Sequence, residues 1–347
     1  MFDTLLARGE HFAEVEAQRA LLRFLNGVDW LLRDPADLVG RTPYDVVYRR
    51  DKLEVRRYHH ADRSIRPRHD LPVLFIPPLM VKPFIFDLMP ERSLVKYLLD
   101  RGFDVFLVDF GEPDQADALV TLDDYVLDWI PTAVRQVRAA AGRSELSLLG
   151  YCMGGLFALM YLGVTPDRSV RNLVTVGAPV DASKMGPFAW ATKIAGGQVE
   201  LLSRRIGNVP GGLSSAVFRL LTPAKNVTRY ADLFMNLWNR EYVNGFDAMN
   251  QWVRQFIDYP QSAFEQFVRD FMQHNRLVRG KMRFGGRTAD LRRVRANLLV
   301  LAGKTDQIAL AAAVRAQLDA VGGTDVTYRV VPAAMGVLAG QSAPRQA

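Results

Sequence analysis

The stretch from Glu145 to Val164 reads ELSLLGYCMGGLFALMYLGV. Leu146-Ser147-Leu148-Leu149 is a short apolar run of strand type. Gly150-Tyr151-Cys152-Met153-Gly154-Gly155 follows it, and then comes a longer apolar segment of helical character. Strand, tight turn and buried helix set one side chain, Cys152, on a sharp corner. Its neighbours must lack a Cβ so that strand and helix can approach. The helix beginning after Cys152 aims free N–H groups and positive dipole at the thiol, which favours thiolate. G-x-C-x-G is the pattern of a nucleophile elbow with cysteine in place of serine.

Two plainer readings compete. Leu146 to Val164 carries no charged residue and is nominally long enough to cross a membrane. The glycines at 150, 154 and 155 argue for a broken strand–turn–helix instead. Cys152 could also be a small buried hydrophobe.

Composition narrows the field. A length of 347 residues with 49% hydrophobic and 10% aromatic content fits one large folded domain, or a core with an insertion. The single cysteine excludes an intramolecular disulfide and suits a reducing compartment. The first residues, MFDTLLARGEHFAEVEAQRALLRFLNG, mix charges into an amphipathic pattern and lack a signal peptide's apolar core. The expected location is cytoplasmic. The net charge of +7 could attract polyanions, but no nucleic-acid-binding motif accompanies it. Nucleic acid is therefore not an expected partner, and nothing in the pattern calls for a metal or a cofactor.

Working outward, helical spacing runs through Leu5, Leu6, Phe12, Val15, Leu21, Leu22, Leu25 and Leu32, until Asp34-Pro35 and Pro43 break it. Tyr44–Tyr58 reads as a strand pair joined at Asp51-Lys52. Short buried strands are expected at Val73–Ile76, Val105–Val108, Leu173–Val176, Leu298–Leu301 and Val326–Val331. Helices are expected near 93–101, from 123 to 141 with Pro131 as a kink, and near 311–321. Alternating strands and helices imply a mostly parallel sheet wound by right-handed crossovers.

The alternation stops from about Ser183 to Gly286. Helices are expected there at 226–239 and 264–275, with 184–208 helical or irregular. With the elbow, this order predicts an α/β-hydrolase fold with helices on both faces and a helical cap insertion. The divisions are an N-terminal helical appendage (1–40), a core (41–182 and 287–347) and a cap (183–286). A cap shields a nucleophile from water and shapes an acyl pocket.

A cysteine nucleophile needs a base, and the base needs an orienting acid. In this fold the chain order is nucleophile, acid, histidine. Asp306, in AGKTDQIA just past a buried strand, fits the acid; the plainer reading is a helix cap. The oxyanion hole would take the Met153 N–H and one from Leu79 or Met80, since Pro77 and Pro78 have none. A histidine should follow the last strand, but none stands there. His11, His59, His60 and His69 precede the elbow, and His274 falls in the cap. With no base beside it, the thiol is expected near the free value of about 8.5, softened by the helix dipole.

These pieces resemble a known family, the catalytic subunit of class III polyhydroxyalkanoate synthases. The likeness runs over about 41–340, through TPYDVVYRRDKLEVRRY, PPLMVKPFIFDLMPERSLVKYLLDRGFDVFLVDFGEP, TLDDYV, GYCMGG, NLVTVGAPVD and FEQFVRDFMQHNRLVRGKMRFGGRTADL. The resemblance implies Cys152 as acyl-accepting nucleophile and Asp306 as acid. It also implies a histidine in a G-H-x-G loop; the loop here reads Ala333-Ala334-Met335-Gly336, so Ala334 stands at that position. The implied substrates are 3-hydroxyacyl-CoA or another acyl thioester or ester. The implied partners are a second synthase subunit, the polymer granule and further copies of the chain. An ester or thioester hydrolase or depolymerase, and a non-catalytic granule- or partner-binding homologue, are the alternatives.

Overall fold

The computed structural model of the chain describes residues 2–32, 39–186, 189, 205, 207–220 and 223–332. Eight strands build the main sheet: β1 (Tyr44–Arg50), β2 (Leu53–Tyr58), β3 (Val73–Ile76), β4 (Val105–Asp109), β5 (Leu146–Tyr151), β6 (Val170–Val176), β7 (Asn297–Gly303) and β8 (Val326–Val331). Their spatial order is β1-β2-β4-β3-β5-β6-β7-β8. The β1–β2 hairpin turns at Asp51, where φ is 51°, and β2 runs antiparallel to β4. From β4 to β8 every pairing is parallel.

The centre of the sheet is buried on both faces, so β3 and the first four residues of β4 are wholly apolar and buried. Leu74 and Ile76 of β3 point to one side with Leu148 of β5. Val73 and Phe75 point to the other with Leu149. The first layer is closed by α3 (Ile130–Ala141) and α4 (Met153–Val164), the second by α2 (Leu94–Asp100) and by Trp252 of a later helix. Ser93 caps α2, its Oγ accepting the Lys96 N–H at 2.9 Å.

The helix expected over 123–141 is present, running without a break from Leu122 to Ala141, with a π-turn, Tyr125–Trp129, set between Leu122–Asp124 and α3. Pro131 has no N–H to donate and its ring would clash with a carbonyl one turn back, so the wider turn just before it relieves the conflict. The helix expected over 311–321 is split at Ala316 into Ala311–Arg315 and Gln317–Ala320. The helix expected over 264–275 starts earlier, at Gln261–Gln266, and continues as a π-segment, Phe267–Gln273.

The N-terminal helix α1 spans Phe2–Leu32. Between β6 and β7 the described residues form α5 (Gly211–Leu220), α6 (Pro223–Asn236), α7 (Arg240–Arg254) and α8 (Gln261–Gln266), and contribute no strand to the main sheet. Most of 184–208 lies outside the described residues. The inserted segment touches the sheet's carboxyl edge. Ile257 N–H donates to the Met80 carbonyl at 3.0 Å, and Trp252 Nε1 donates to the Lys82 carbonyl at 3.0 Å. Val209 and Tyr259 form a two-way backbone bridge, 2.9 Å each way.

Candidate active site

Cys152 sits between β5 and α4 at φ 50°, ψ −116°, a conformation that side chains avoid. Such a position costs on the order of 1–3 kcal/mol and persists only where the surroundings dictate it. Here the Cys152 N–H donates to the Val176 carbonyl at 2.8 Å, and the Cys152 carbonyl accepts from Gly155 N–H at 3.1 Å. The glycines answer for the rest. A Cβ on Gly154 would lie 2.0 Å from the Ile76 carbonyl oxygen, and one on Gly150 would lie 2.5 Å from Gly155 Cα. Strand, turn and helix therefore meet at backbone distance.

The thiol is in a different state from the one its position at a helix start suggests. Cys152 is half-buried, and the desolvation imposed by the protein packed around it pushes its pKa up to about 12, with the negative charge of Asp306 adding to the rise. The Met153 N–H, which donates to the thiol sulfur, pulls the other way and loses. The expectation of a thiol near its free value is thus corrected: removal from water and a nearby carboxylate outweigh one helix end. The same burial and the Cys152 and Asp306 charges push the neighbouring Tyr151 phenol well above its ordinary value.

Asp306 follows β7, and its charge is felt by both Cys152 and Tyr151. One oxygen, Oδ1, accepts the Ile308 and Ala309 N–H groups at 2.9 Å each, which holds the carboxylate in its loop. It is not the residue before the next helix, which is Leu310. Lys304 N–H donates to the Val331 carbonyl at 2.8 Å and Thr305 Oγ1 to the Pro332 carbonyl at 3.0 Å. The loop that carries Asp306 is thereby tied to the end of β8. Ala334 lies outside the described residues.

Leu79 is buried, and Met80, in the loop after β3, takes φ 60°. Among the described residues no hydrogen bond uses the N–H of either, so both remain available to an oxyanion. Met153, the other proposed donor, is buried at the head of α4. Tyr259 Oη points at Met153 Sδ, 3.6 Å away, from the inserted segment. Nothing in the sequence marked Tyr259, because the contact joins residues far apart in the chain and follows no local spacing.

The histidines lie elsewhere. β2 ends beside the start of β4, with Arg57 opposite Phe106, so His59 and His60 stand at the sheet edge opposite Cys152. His69 is at that same edge. Its N–H donates to the Gly102 carbonyl and its ring stacks on Phe103 at 4.2 Å. His274 is exposed, with Nδ1 on the Arg269 carbonyl at 2.6 Å. The side chain of His11 is outside the described ones. Among the described residues no cluster of His, Cys, Asp and Glu could hold a metal, and no helix is long and apolar enough to cross a membrane.

Comparison with known proteins agrees with this geometry. Residues 85–333 match the alpha/beta hydrolase fold model and residues 36–98 the poly-beta-hydroxybutyrate polymerase (PhaC) N-terminus model. The chain is 33% identical over 309 residues to the poly(3-hydroxyalkanoate) polymerase subunit PhaC of Allochromatium vinosum, covering 88% of this chain and 86% of that one. The chain belongs to the PhaC family. The PhaC of Haloferax mediterranei is 36% identical over 273 residues, and the match spans only 54% of that longer protein. A Sulfolobus solfataricus structure assigned provisionally as a lipase shares the fold, with a TM-score of 0.50 at 14% identity over 87% of this chain and 93% of that one. The chain's central sheet is therefore that of the α/β-hydrolase fold.

Proposed function

We propose that this chain is a polymerase-type acyltransferase site, in which Cys152 accepts the acyl group of a 3-hydroxyacyl-CoA thioester. The observation that carries the reading is the elbow itself, with Cys152 at φ 50° and the Met153 N–H directed at its sulfur. In the first step the Cys152 sulfur attacks the thioester carbonyl. The bond to the CoA sulfur breaks, and CoA leaves with the proton that Cys152 gives up. One thioester replaces another, so little bond energy changes. In the second step the hydroxyl of another 3-hydroxyacyl unit attacks the Cys152 thioester, forming an ester and returning a proton to Cys152. The N–H groups of Met153 and of Leu79 or Met80 would hold the oxyanion in both steps.

Chain growth needs a dry pocket, because water competes for the acyl group. In this reading residues 183–286 act as the cap, 41–182 with 287–347 as the core, and 1–40 as an appendage. Tyr259 and Trp252, which reach the elbow and the oxyanion loop, support that division. A second synthase subunit and the polymer granule are the partners such a site would serve.

Ala334 sets the limit on rate. A thiol at about 12 is ionised to roughly one part in 10⁵ at neutral pH. A general base is worth about 10²–10⁴-fold, and the position that should carry it has a methyl group. The same two observations favour a second reading, a homologue that binds acyl chains or polymer without turning over. CoA release from 3-hydroxybutyryl-CoA separates them. The acyltransferase reading expects slow release by the parent, at least a tenfold gain for Ala334→His, and loss of that gain in Ala334→His/Asp306→Ala. Absence of any acyl adduct on Cys152 in the Ala334→His protein, by intact mass, would sink it.

A further inference from the structure

His59 and His60 stand at the sheet edge opposite Cys152, and the acyl-transfer reading uses neither. Both line an open cavity of about 240 Å³ beside the end of β2. Three arginines, Arg57, Arg63 and Arg66, share its wall, and Ile65, Pro67 and Phe103 give it an apolar side.

Two of the guanidiniums are already held in place. Arg57 Nε and Nη2 donate to the two carboxylate oxygens of Asp104 at 3.0 and 2.9 Å, and its Nη1 donates to the Ala140 carbonyl at 3.3 Å. Asp104 is buried, and Arg57 also lies over the Phe106 ring at 5.4 Å. Arg63 grips Asp45 through Nη1 and Nη2 at 3.1 and 2.9 Å, and Nη2 donates to His59 Nε2 at 3.0 Å. His59 Nδ1 donates to the His60 carbonyl at 2.8 Å, which fixes the ring's orientation. A guanidinium carries five N–H donors. Arg57 and Arg63 each spend three on these bonds, which leaves two apiece. Among the described residues no hydrogen bond or ion pair uses Arg66. Three arginines against Asp45 and Asp104 leave the wall one charge positive. Asp100, 3.7 Å from His60 Nδ1, is itself paired with Lys96 at 2.6 Å.

We propose that this cavity binds a phosphate monoester carried on a compact organic body. Three guanidiniums around one cavity outnumber the two oxygens of a carboxylate and match the three terminal oxygens of a phosphate monoester. The forks of Arg57 and Arg63 are set before anything binds, so little side-chain freedom is lost on binding. A merely solvated basic surface has no such fixed donors. The cavity has the volume of roughly eight waters, more than a bare phosphate fills, and Ile65, Pro67 and Phe103 would cover the organic part. The six residues of β5 put this edge about 20 Å from Cys152. The site therefore stands or falls apart from the acyltransferase reading.

Isothermal titration of the full chain with glycerol 3-phosphate tests it. One equivalent should bind. Arg66→Ala should weaken binding at least tenfold with an unchanged far-ultraviolet spectrum, since Arg66 is exposed and holds no other residue. Arg63→Ala should weaken it at least as much. Arg240→Ala, an equal loss of charge on α7, should leave binding unchanged and guards against a general effect of the net charge. A parent that shows no binding at about 10 mM ligand overturns the proposal, and so does binding that survives both Arg66→Ala and Arg63→Ala. Butyrate bound more tightly than glycerol 3-phosphate would give the cavity to carboxylates and overturn the phosphate assignment.

Discussion

α4 and α1 are both rich in apolar residues, and the protein treats them in opposite ways. Every residue of α4, from Met153 to Val164, is buried. α1 turns its polar contacts inward and leaves its apolar stripe in solvent. Hydrophobic spacing says that a face needs covering; it does not say by what. α4 is covered because glycines let it close onto β3 and β5 at backbone distance. Among the described side chains, from Val15 on, α1 reaches the rest of the chain through polar contacts: Asn26 to Leu237, Trp30 to Asp247, Asp29 to Arg240, and Arg19 over the Trp238 ring.

The sharpest way to break this contrast is Gly154→Val. A Cβ there falls 2.0 Å from a backbone oxygen that cannot swing aside, so the variant should lose more than about 4 kcal/mol, beyond the usual range for one substitution, or yield no folded protein. Recovery of near-parent stability in urea would mean that the elbow is far looser than drawn.

The thiol at the head of α4 gives the next largest effect. With its pKa pushed to about 12, iodoacetamide should alkylate the native protein about 10³-fold more slowly at pH 8 than an ordinary thiol, because only the thiolate reacts. The rate should climb tenfold per pH unit with no plateau below pH 10. A plateau near pH 8 would show that the helix start, not burial, governs this cysteine. The sign for stability follows. The folded thiol holds its proton more tightly than the unfolded one, whose ordinary value is about 9. That contribution is complete below pH 9 and is lost as pH rises toward 12. Cys152→Ala should therefore flatten the alkaline fall in unfolding free energy between pH 9 and 11.

Smaller effects come from α1. Trp30→Phe removes one donor to the buried Asp247 and should cost about 1–2 kcal/mol. Leu31→Glu, at a position 76% exposed, should change the stability of the dilute protein by less than about 0.5 kcal/mol. Equal losses at Leu31 and at Trp30 would erase the difference between the two sides of the helix.

The sheet was legible because its strands are short apolar runs separated by glycine and proline, and the elbow because three glycines crowd one cysteine. The α/β-hydrolase fold followed from their order. The π-turn at Tyr125–Trp129 was not legible, since Pro131 announces a disturbance without its form. Asp306 drew notice from its place after a strand, and its charge contributes to the raised thiol. The state of that thiol could not be read, because dipole and burial oppose each other and only three dimensions give their sizes. Tyr259 and Trp252 escaped for the same reason: their partners, Met153 and Lys82, are distant in sequence.

The bonds from Lys304 and Thr305 to the end of β8 have a consequence for any base placed beyond it. They anchor the chain at Pro332, and two residues can reach no more than about 7 Å. A single group confined to a sphere of that radius is present at an effective concentration of about 1 M. Imidazole supplied free in solution at about a tenth of that would be a weak substitute. The short leash would give a side chain at 334 its advantage over any base that must arrive by diffusion.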